Sequence, residues 1–569
     1  MSKRFNALYV GYAPRRHSSY ARWCAFHSFL VCGIGCFTAL TAAFALELHT
    51  IYASADWDLV LRAILSSSLR SAFYLRGGLA ALVAAVSAAI AYRTVWENTP
   101  EEEPFRTLKS DDPKLFYDEF ARDNLSRCFR DEARNDGAGL WLAPHLRLPF
   151  SLEPKGIMII GAPNSGKSNI VRALAEQAIE RGDRVLLHCN KGDVTQSFSS
   201  RESILIAAHH RDSYAWDIAA DVSDPAAAAQ FASDIIPRSD NPFWSETARI
   251  LATDDIISLI GERGTNWDAR ELVTRLISDP ALMADRIKNL DLNASPILLA
   301  GEENGLDKTI MGVMSTLWSG VYTTLRPMAY AWTGFPPQRR FSVKRWLSAD
   351  YAGPRTVIVQ TSPEYDEVST AIAGGLIKRV ATRLADPSLS SSTKRRVVLA
   401  LDEMHVLKRI DRMETALALG REKGLVPIVA LQSLSQLTGV YGSETADTIS
   451  DLFQIKIYGR LVAGAGADLV EKRLGKRFVS AFLDNRTPAR DDRRKYIEHR
   501  SEEALFSATR LQRDLGVVKK AGETDHVRAL VHCYGNGYLL KWPMTHWRKL
   551  REGYVPAPWL QLSDGRPQH

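Results

Sequence analysis

The segment that most constrains this chain is "KGIMIIGAPNSGKSNIVRALAEQ", in which Gly161–Ser168 fits the pattern G-x-x-x-x-G-K-[ST] in full. A short apolar run, Gly156–Ile160, precedes the pattern, and apolar residues recur at helical spacing after it. A strand, a glycine-containing loop and a helix in this order predict a P-loop. The fold class expected around it is therefore α/β, with a buried parallel strand leading into the loop.

A P-loop binds phosphate with its backbone N–H groups and with the positive end of the helix that follows. Lys167 is expected to reach the β- and γ-phosphates, and the Ser168 hydroxyl to bind magnesium. The predicted cofactors are therefore ATP and Mg²⁺. The predicted nucleotide-binding residues are Gly161, Ala162, Pro163, Asn164, Ser165, Gly166, Lys167, Ser168 and Asn169.

A second motif, "RRVVLALDEM", supplies the acids that such a site needs. Val397–Leu401 reads as a buried strand, and Asp402 at its end is expected to hold the magnesium shell. Glu403 is the candidate general base for the attacking water. The alternative is an acid pair that caps the next helix.

A third strand is predicted in "GLVPIVALQSLSQL", where Pro427–Leu431 ends in Gln432. An amide at the tip of the strand beside the Asp-Glu strand is suited to sensing the γ-phosphate or positioning water. The alternative is that the amide only satisfies loop backbone.

The long interval between Ser168 and Asp402 exceeds what one βαβ step requires, so a sub-domain is predicted within it. The region 224–341 has helical patterns and few β-rich runs, whereas "RVLLHC" before it and "RTVIVQT" after it read as strands. ABC transporter ATPases are excluded because no LSGGQ-like signature is present and the motif interval is too long.

The N-terminal region has a different character, because Trp23–Leu46 contains no Asp, Glu, Lys or Arg. A membrane-spanning helix needs about 20 apolar residues, so this run is long enough. A shorter Ala-rich run, Gly77–Tyr92, lies between Arg76 and Arg93 and is predicted to return as the second leg of a hairpin. The alternative for the second run is a buried Ala-rich helix.

Basic residues before the first span place the N-terminus in the cytoplasm by the positive-inside rule; they are Lys3, Arg4, Arg15, Arg16 and Arg22. The loop 47–75 is then periplasmic, and everything after Tyr92 is cytoplasmic. A cleaved signal peptide is the competing interpretation, since Ala43–Ala45 resembles a cleavage site. That interpretation would export the phosphate loop to a compartment without ATP.

The net charge of +7 fits an anionic partner such as nucleic acid or lipid headgroups. The six cysteines show neither zinc-type spacing nor a disulfide framework, which favours a reducing compartment. No metal site other than the magnesium site is predicted.

Several further stretches give the chain a specific resemblance: "IIPRSDNPFWSETARIL", "RRFSVKRWL", "LALDEMHVL", "LGREKGLVPIVALQSLSQLTGVYG" and "GYLLKWP". Together with the P-loop and the two N-terminal spans, they resemble the type IV coupling proteins of bacterial conjugation, the TraD/TrwB group within the FtsK-like motor ATPases. The resemblance extends over roughly 156–543. FtsK-like chromosome translocases fit less well, because they usually have more spans, a long linker and a DNA-reading winged-helix end.

The resemblance implies a RecA-like P-loop motor domain with an inserted all-α domain, in a homo-hexameric ring on the bacterial inner membrane. It implies ATP-driven handling of DNA, largely independent of sequence, at a type IV secretion channel supplied by a relaxase or relaxosome. By position, Lys167 and Ser168 bind phosphate and magnesium, and Asp402 and Glu403 are the second-motif acids. Gln432 takes the family's glutamine position. Arg421 takes the position of the arginine that reaches the neighbouring subunit's site; without the resemblance it reads as a solvated helix-end charge.

The resemblance also has a departure. The stretch after the second strand reads "CNKGD", with Cys189 where the family often has an acid.

The predicted domains, in chain order, are a cytoplasmic N-terminus (1–22), a transmembrane hairpin (23–95) with its periplasmic loop (47–75), a linker (96–140), the first part of the nucleotide-binding domain (141–223), the inserted all-α domain (224–345), the second part of the nucleotide-binding domain (346–545) and a C-terminal tail (546–569).

Candidate DNA-phosphate contacts fall in two basic clusters, each of which also reads as an ordinary solvated turn: Lys394, Arg395 and Arg396, and Arg490, Arg493, Arg494 and Lys495. The alternative function is a receptor for protein effectors of a type IV secretion system, with ATP acting mainly as a switch.

Overall fold

The computed structural model describes residues 18–51, 58, 70–98, 106–107, 112–132, 137–236, 238–239, 241–291, 293–304, 307–387, 389–392, 394–410, 413–484, 496–519, 524–545 and 547–561. Residues 1–17, most of the predicted loop 47–75, most of the stretch 99–111 and the second basic cluster, Arg490–Lys495, lie outside the described residues.

The secondary structure alternates strands and helices on both sides of a long helical stretch. The strands are β1 Arg106–Thr107, β2 Leu115–Tyr117, β3 Ala138–Ala143, β4 Leu146–Pro149, β5 Ile157–Ile160, β6 Arg184–Cys189, β7 Ser203–Ile206, β8 Ala215–Trp216, β9 Arg340–Phe341, β10 Thr356–Gln360, β11 Val397–Leu401, β12 Leu425–Leu431, β13 Ile455–Tyr458, β14 Lys476–Asp484, β15 Tyr496–Ala504, β16 Gly516–Val518, β17 His526–Cys533 and β18 Asn536–Pro543. The helices are α1 Ser18–Ile51, α2 Arg70–Asn98, α3 Asp118–Glu132, α4 Lys167–Arg181, α5 Ile218–Asp221, α6 Pro225–Ile235, α7 Pro242–Arg263, α8 Ala269–Leu276, α9 Pro280–Ile287, α10 Ser295–Asn304, α11 Asp307–Gly320, α12 Arg326–Trp332, α13 Val343–Trp346, α14 Asp366–Ala385, α15 Met413–Gly420, α16 Leu434–Tyr441, α17 Ser443–Asp451, α18 Ala465–Leu474 and α19 Ala508–Arg513.

The chain forms two compact units, Met1–Asp123 with Lys476–Leu505, and Asn124–Gly475 with Phe506–His569. In the first unit, α1 packs against α2 through small residues. A Cβ atom added to Gly33 would lie 3.0 Å from the Ala84 Cβ, and the Ser87 hydroxyl donates to the Ser28 carbonyl at 3.4 Å. Small residues let helix backbones approach closely, as in helix pairs within membranes.

Both N-terminal helices are long and apolar enough to cross a bilayer, with candidate spans Ala25–Ala43 and Gly77–Thr94 of mean hydropathy 1.6 and 1.4. Large apolar side chains on them are exposed, among them Val31 and Leu82. The two apolar runs expected from the sequence lie within α1 and α2, as a transmembrane hairpin requires. Both helices continue beyond those runs, so α1 enters the predicted 47–75 loop before it ends at Ile51.

The first unit also contains a small sheet in the order β1-β14-β15. Its neighbouring strands are antiparallel, with β14 and β15 paired over nine residues each.

The second unit is built on a large mixed sheet with the order β18-β17-β13-β5-β12-β11-β6-β10-β7, in which β16 also pairs with β17. The strands from β13 to β7 are parallel to their neighbours, while β17 and β18 are antiparallel. Every residue of β5, β11 and β12 is buried, because parallel sheets are covered on both faces. This sheet confirms the α/β class, and the three strands expected around the P-loop and the Asp-Glu pair are present.

Helices α6 to α12 form the inserted all-α region. The short parallel pair β8–β9 lies where the chain enters and leaves this region, with Ala215 opposite Arg340. Between α11 and α12 the chain makes a π-helical turn, Val321–Leu325. Such turns are rare and occur frequently at functional sites.

A buried carboxylate joins three separate parts of the second unit. Glu153 is 0% exposed. Its carboxylate accepts from the Leu140 backbone N–H at 2.8 Å, from Arg181 at 2.7 Å and from Arg396 at 3.0 Å. The Arg396 guanidinium also lies 3.5 Å from the Phe150 ring centroid. Arg396 is therefore a structural residue, and not the solvent-facing DNA contact that the sequence suggested.

Glu153→Ala is expected to lower the free energy of unfolding by about 3–5 kcal/mol, because it leaves the buried Arg396 without its carboxylate partner. Urea unfolding of the detergent-solubilised protein, followed by tryptophan fluorescence, measures this change. The control is Glu552→Ala, which removes the ion pair between Glu552 and Lys549. Because these side chains are 66% and 58% exposed, this substitution should lower the free energy of unfolding by less than about 1 kcal/mol. Equal effects of the two substitutions would contradict the prediction.

Candidate nucleotide site

The phosphate loop connects β5 to α4. It is held by the end of β12 and by the residues that follow β13, the two strands beside β5. The Gly161 N–H donates to the Leu431 carbonyl at 3.0 Å, and the Ala162 N–H donates to the Arg460 carbonyl at 2.7 Å. Gly166 has φ +92°, and a Cβ atom there would lie 2.5 Å from a Val527 methyl group. Both the backbone conformation and the close neighbour therefore require glycine at this position.

Lys167 is the first residue of α4 and lies against the loop. Its ammonium donates to the Gly161 carbonyl at 2.6 Å and to the Ala162 carbonyl at 3.0 Å. Burial lowers the pKa of Lys167, while the nearby Asp402 and Glu403 carboxylates oppose this effect. The ammonium is thus held over the loop whose N–H groups and helix N-terminus favour an anion.

Ser168 and Asp402 meet as expected from the two motifs, with the hydroxyl donating to Asp402 Oδ2 at 2.9 Å. The second carboxylate oxygen, Oδ1, is buried and has no hydrogen-bond partner in the described part of the chain. Burial raises the pKa of Asp402, and the Ser168 hydrogen bond opposes this change. An unpaired carboxylate oxygen beside a hydroxyl suits Mg²⁺, which protein sites bind through one or two carboxylates together with substrate phosphates. These two residues therefore fit the predicted ion.

Glu403 and Gln432 lie together because β11 and β12 are adjacent and parallel, so their carboxyl ends meet. The Gln432 amide donates to Glu403 Oε1 at 3.1 Å. Glu403 has φ +62°, in the left-handed region that is strained for a non-glycine residue. The strand end thus turns the Glu403 carboxylate to the Gln432 side.

Arg421 is not brought to this chain's own site. It follows α15 and precedes β12, whose seven residues lead to Gln432. At about 3.3 Å per residue, the two ends of β12 are about 20 Å apart. Burial lowers the pKa of Arg421, and its Nε and Nη2 have no hydrogen-bond partner among the described residues.

His188 also belongs to the site, although no motif in the sequence predicts it. It lies at the end of β6, beside β11. Its Nδ1 is 2.9 Å from the Asp402 carbonyl oxygen and its Nε2 is 3.0 Å from the Thr361 hydroxyl. Burial lowers the pKa of His188 to about 4, so the ring is neutral at pH 7. The neutral ring donates from Nδ1 and fixes the backbone beside the two acids.

The residues after β6 include the departure noted in the sequence. Cys189 is buried, with its sulfur 3.8 Å from the Thr195 hydroxyl, and burial raises the pKa of its thiol. The Cys189 thiol is therefore neutral and does not supply the negative charge that an acid would have at this position. Asp193 keeps a charged contact, since it pairs with Arg172 of α4.

After β18, residues 544–545 and 547–561 lie along the carboxyl edge of the sheet, and we call them the C-terminal strap. Asn169, next to the P-loop serine, accepts from the Thr545 N–H at 2.6 Å and donates to the Pro543 carbonyl at 2.9 Å. Farther along, the Arg551 N–H donates to the Gln196 carbonyl at 3.1 Å. The strap therefore ties the start of α4 to the loop after β6.

Residues 142–528, more than half of the chain, match the sequence model of the family described as "Type IV secretion-system coupling protein DNA-binding domain". The chain is 22% identical over 332 residues to the "Coupling protein TraD" of Escherichia coli (strain K12). That alignment covers 57% of this chain and 44% of the relative, so the chain aligns with less than half of that relative's length.

Solved structures of the bacterial conjugative coupling protein TrwB have the same fold. An unbound form has a TM-score of 0.60 and 21% identity, covering 76% of this chain and 94% of that one. TrwB in complex with ADP and Mg²⁺ has a TM-score of 0.59 and 21% identity, with the same coverage. TrwB in complex with the non-hydrolysable ATP analogue ADPNP has a TM-score of 0.60 and 20% identity, covering 79% and 97%. Because the family's sequence model covers most of the large-sheet unit that carries the nucleotide site, this chain belongs to the type IV secretion-system coupling protein family.

Proposed function

We propose that this protein is an inner-membrane coupling protein that uses ATP hydrolysis to drive DNA into a type IV secretion channel. The observation that carries the proposal is the meeting of Ser168, Asp402, Glu403 and Gln432 at one edge of the sheet, within a chain of the coupling protein family. The relatives with ADP, Mg²⁺ and an ATP analogue support nucleotide as the ligand.

In the proposed site, the backbone of Gly161–Asn169 holds the phosphates, and the Lys167 ammonium exchanges its two loop carbonyls for phosphate oxygens. Mg²⁺, which Ser168 and Asp402 would hold, supplies positive charge against the phosphates. Glu403 accepts the proton of the attacking water, and Gln432 orients that carboxylate and the water.

Arg421 completes the site of a neighbouring subunit in a homo-hexameric ring. It precedes the start of β12, and the other end of this strand, about 20 Å away, leads to Gln432, so Arg421 lies far from its own nucleotide. Its Nε and Nη2 are buried without a hydrogen-bond partner among the described residues, so these two atoms lose no hydrogen bond when the side chain turns toward a neighbour. An arginine supplied from a neighbour stabilises charge in the transition state of phosphoryl transfer.

The two N-terminal helices anchor the ring in the inner membrane, with the N-terminus and the motor domain in the cytoplasm. The basic N-terminal residues support this orientation. The exposed apolar side chains of α1 and α2 support the anchoring, since in lipid they carry no hydration cost. The proposed partners are DNA, a relaxase or relaxosome, and the channel proteins.

The test is ATP hydrolysis by the full-length protein in nanodiscs, with and without DNA. We expect DNA to raise the rate, and Lys167→Ala to abolish hydrolysis because the phosphates lose their ammonium. Lys288→Ala, at an exposed position directly after α9 in the inserted region, is the matched control and should hydrolyse normally. Hydrolysis that does not respond to DNA would contradict the motor function and favour a receptor for protein cargo.

A further inference from the structure

A cleft of about 460 Å³ lies between the inserted helices and the nucleotide-binding part of the second unit. Residues from α6, α7, the π-helical turn, α14 and the segment 407–410 line it. Its charged lining residues comprise two acids, Asp234 and Glu367, and five cations. The cations are Arg238, Arg249, Lys378, Lys408 and Arg409.

The positive charge of this basic cleft is partly neutralised by carboxylates, and Arg249 pairs with Glu246 at 3.1 Å. Lys378 pairs with Asp234 at 2.6 Å where both side chains are mostly buried. Lys408 pairs with Asp366 at 2.7 Å, with the two side chains 57% and 46% exposed. An exposed pair of this kind contributes little energy, so a phosphate oxygen can replace the Asp366 carboxylate at low cost. Arg238 is also exposed and therefore accessible to a ligand from solvent.

The lining chemistry fits a phosphodiester backbone better than a base or an apolar ligand. Four hydroxyl side chains line the cleft together with the cations, and each donates to a helix carbonyl that a phosphate oxygen would have to replace; they are Ser233, Thr323, Thr324 and Thr370. Cations and hydroxyls are the groups that contact nucleic-acid phosphates without reading sequence. A motor that accepts any sequence requires contacts of this kind.

The cleft is connected to Glu403, the proposed general base, through a short stretch of chain. Met404–Leu407 is a single 3₁₀ turn that begins directly after Glu403 and is followed by Lys408. Both flanking residues are non-glycine residues with positive φ, +62° at Glu403 and +56° at Lys408. Two strained residues at the ends of one turn indicate an element whose conformation is tightly set by its surroundings.

Helix α16 supports the same segment at both of its ends. Near its start, the Gln436 amide contacts His405 at 3.3 Å and accepts from the Gln432 N–H at 3.1 Å. At its end, the Tyr441 hydroxyl accepts from the Ile410 N–H at 3.3 Å. These contacts link the segment at the cleft to both Glu403 and Gln432.

We propose that the basic cleft binds the phosphodiester backbone of the transported nucleic acid, and that its occupancy is transmitted to Glu403 through the segment 404–410. This inference rests on the proposed function, because it assigns the DNA contact that stimulates hydrolysis.

The test compares wild type with the double variant Arg238→Ala, Lys408→Asn in full-length protein. Asparagine removes the charge at Lys408, where φ is +56° and ψ is −165°, and circular dichroism of the purified variant checks that its fold matches that of wild type. The matched control is Arg270→Ala, Lys288→Ala, which removes two exposed cations outside the cleft. The affinity for a fluorescent 30-mer DNA is measured over a range of salt concentrations, and ATP hydrolysis is measured with and without the same DNA.

We expect the double variant to lose two phosphate contacts. The slope of log affinity against log salt should therefore become less steep by about 1.4 for single-stranded and about 1.8 for double-stranded DNA, which is about 0.7–0.9 per lost contact. The ratio of hydrolysis rates with and without DNA should fall to about 1, since occupancy no longer reaches Glu403. The control double variant should match wild type in both measurements. The single variant Lys408→Arg, in which Arg238 is unchanged, should keep the wild-type slope of log affinity against log salt.

An unchanged slope and an unchanged rate ratio in the double variant, with wild type binding and responding to DNA, would overturn this inference and leave the proposed function standing. A reduced slope with an unchanged rate ratio would overturn the transmission to Glu403 alone. Wild type that neither binds nor responds to DNA would overturn both the inference and the proposed motor.

Discussion

Arg421→Ala is expected to lower the rate of ATP hydrolysis by about 10³–10⁵-fold, as loss of a transition-state arginine does in phosphoryl transfer. The bound nucleotide should stay in place, because the loop Gly161–Ser168 and the Ser168–Asp402 contact are untouched. Steady-state hydrolysis and binding of a fluorescent ATP analogue, measured on the same nanodisc preparation, separate the two effects. The control is Arg383→Ala, which removes a guanidinium that is 44% exposed on α14.

A mixing experiment tests whether Arg421 acts on a neighbouring subunit. Arg421→Ala subunits keep their own phosphate loop, whereas Lys167→Ala subunits keep their arginine. In randomly mixed rings, roughly a quarter of the interfaces combine an intact loop with an intact arginine, because each interface joins two different surfaces. Hydrolysis should therefore recover in the mixture although each variant alone is inactive. A mixture as inactive as its components, or an active Arg421→Ala protein, would contradict the role in the neighbouring site.

Glu403→Gln is expected to lower turnover by about 10²–10⁴-fold, since the amide cannot accept a proton from the attacking water. ATP binding should persist, because Lys167, Ser168 and Asp402 keep their positions. The variant should therefore accumulate bound, unhydrolysed ATP, which a single-turnover assay with radiolabelled ATP detects.

Two companion variants sharpen this prediction. Asp402→Asn removes charge from the proposed magnesium site, so it should weaken ATP binding and make it less dependent on Mg²⁺. Gln432→Ala removes the 3.1 Å contact to Glu403 and should reduce turnover less than Glu403→Gln does. Glu403→Gln with more than about a tenth of wild-type turnover would contradict the general-base role.

The parts of the site that could be predicted from the sequence are those whose geometry is determined by a short local pattern of residues. Gly161–Ser168 follows a buried strand and starts a helix, so its geometry is set by a short segment of chain. Asp402 and Gln432 each follow an apolar run, and adjacent parallel strands bring such ends together. The inserted helices were predictable for the same reason, since helical periodicity is visible without knowledge of tertiary contacts.

The remaining features depend on contacts between residues far apart in the chain. His188 reads as one residue in an apolar run, and only the pairing of β6 with β11 gives it a role beside Asp402. Arg396 belongs to a basic run that resembles a solvated turn, yet it is 3% exposed and pairs with Glu153. The basic cleft combines four helical elements with the segment 407–410, and no local pattern identifies such an assembly.

The order of strands in the large sheet has a consequence for how the protein is made. β5, which carries the phosphate loop, lies between β12 and β13, and the ribosome produces both of these neighbours only after the inserted helices and most of the other strands. At ordinary rates of synthesis, β5 waits on the order of tens of seconds for its partners. During that time an apolar strand has two unpaired edges, which are prone to non-native pairing. A nascent chain that stops within the inserted helices thus carries the complete phosphate-loop sequence but has no nucleotide site.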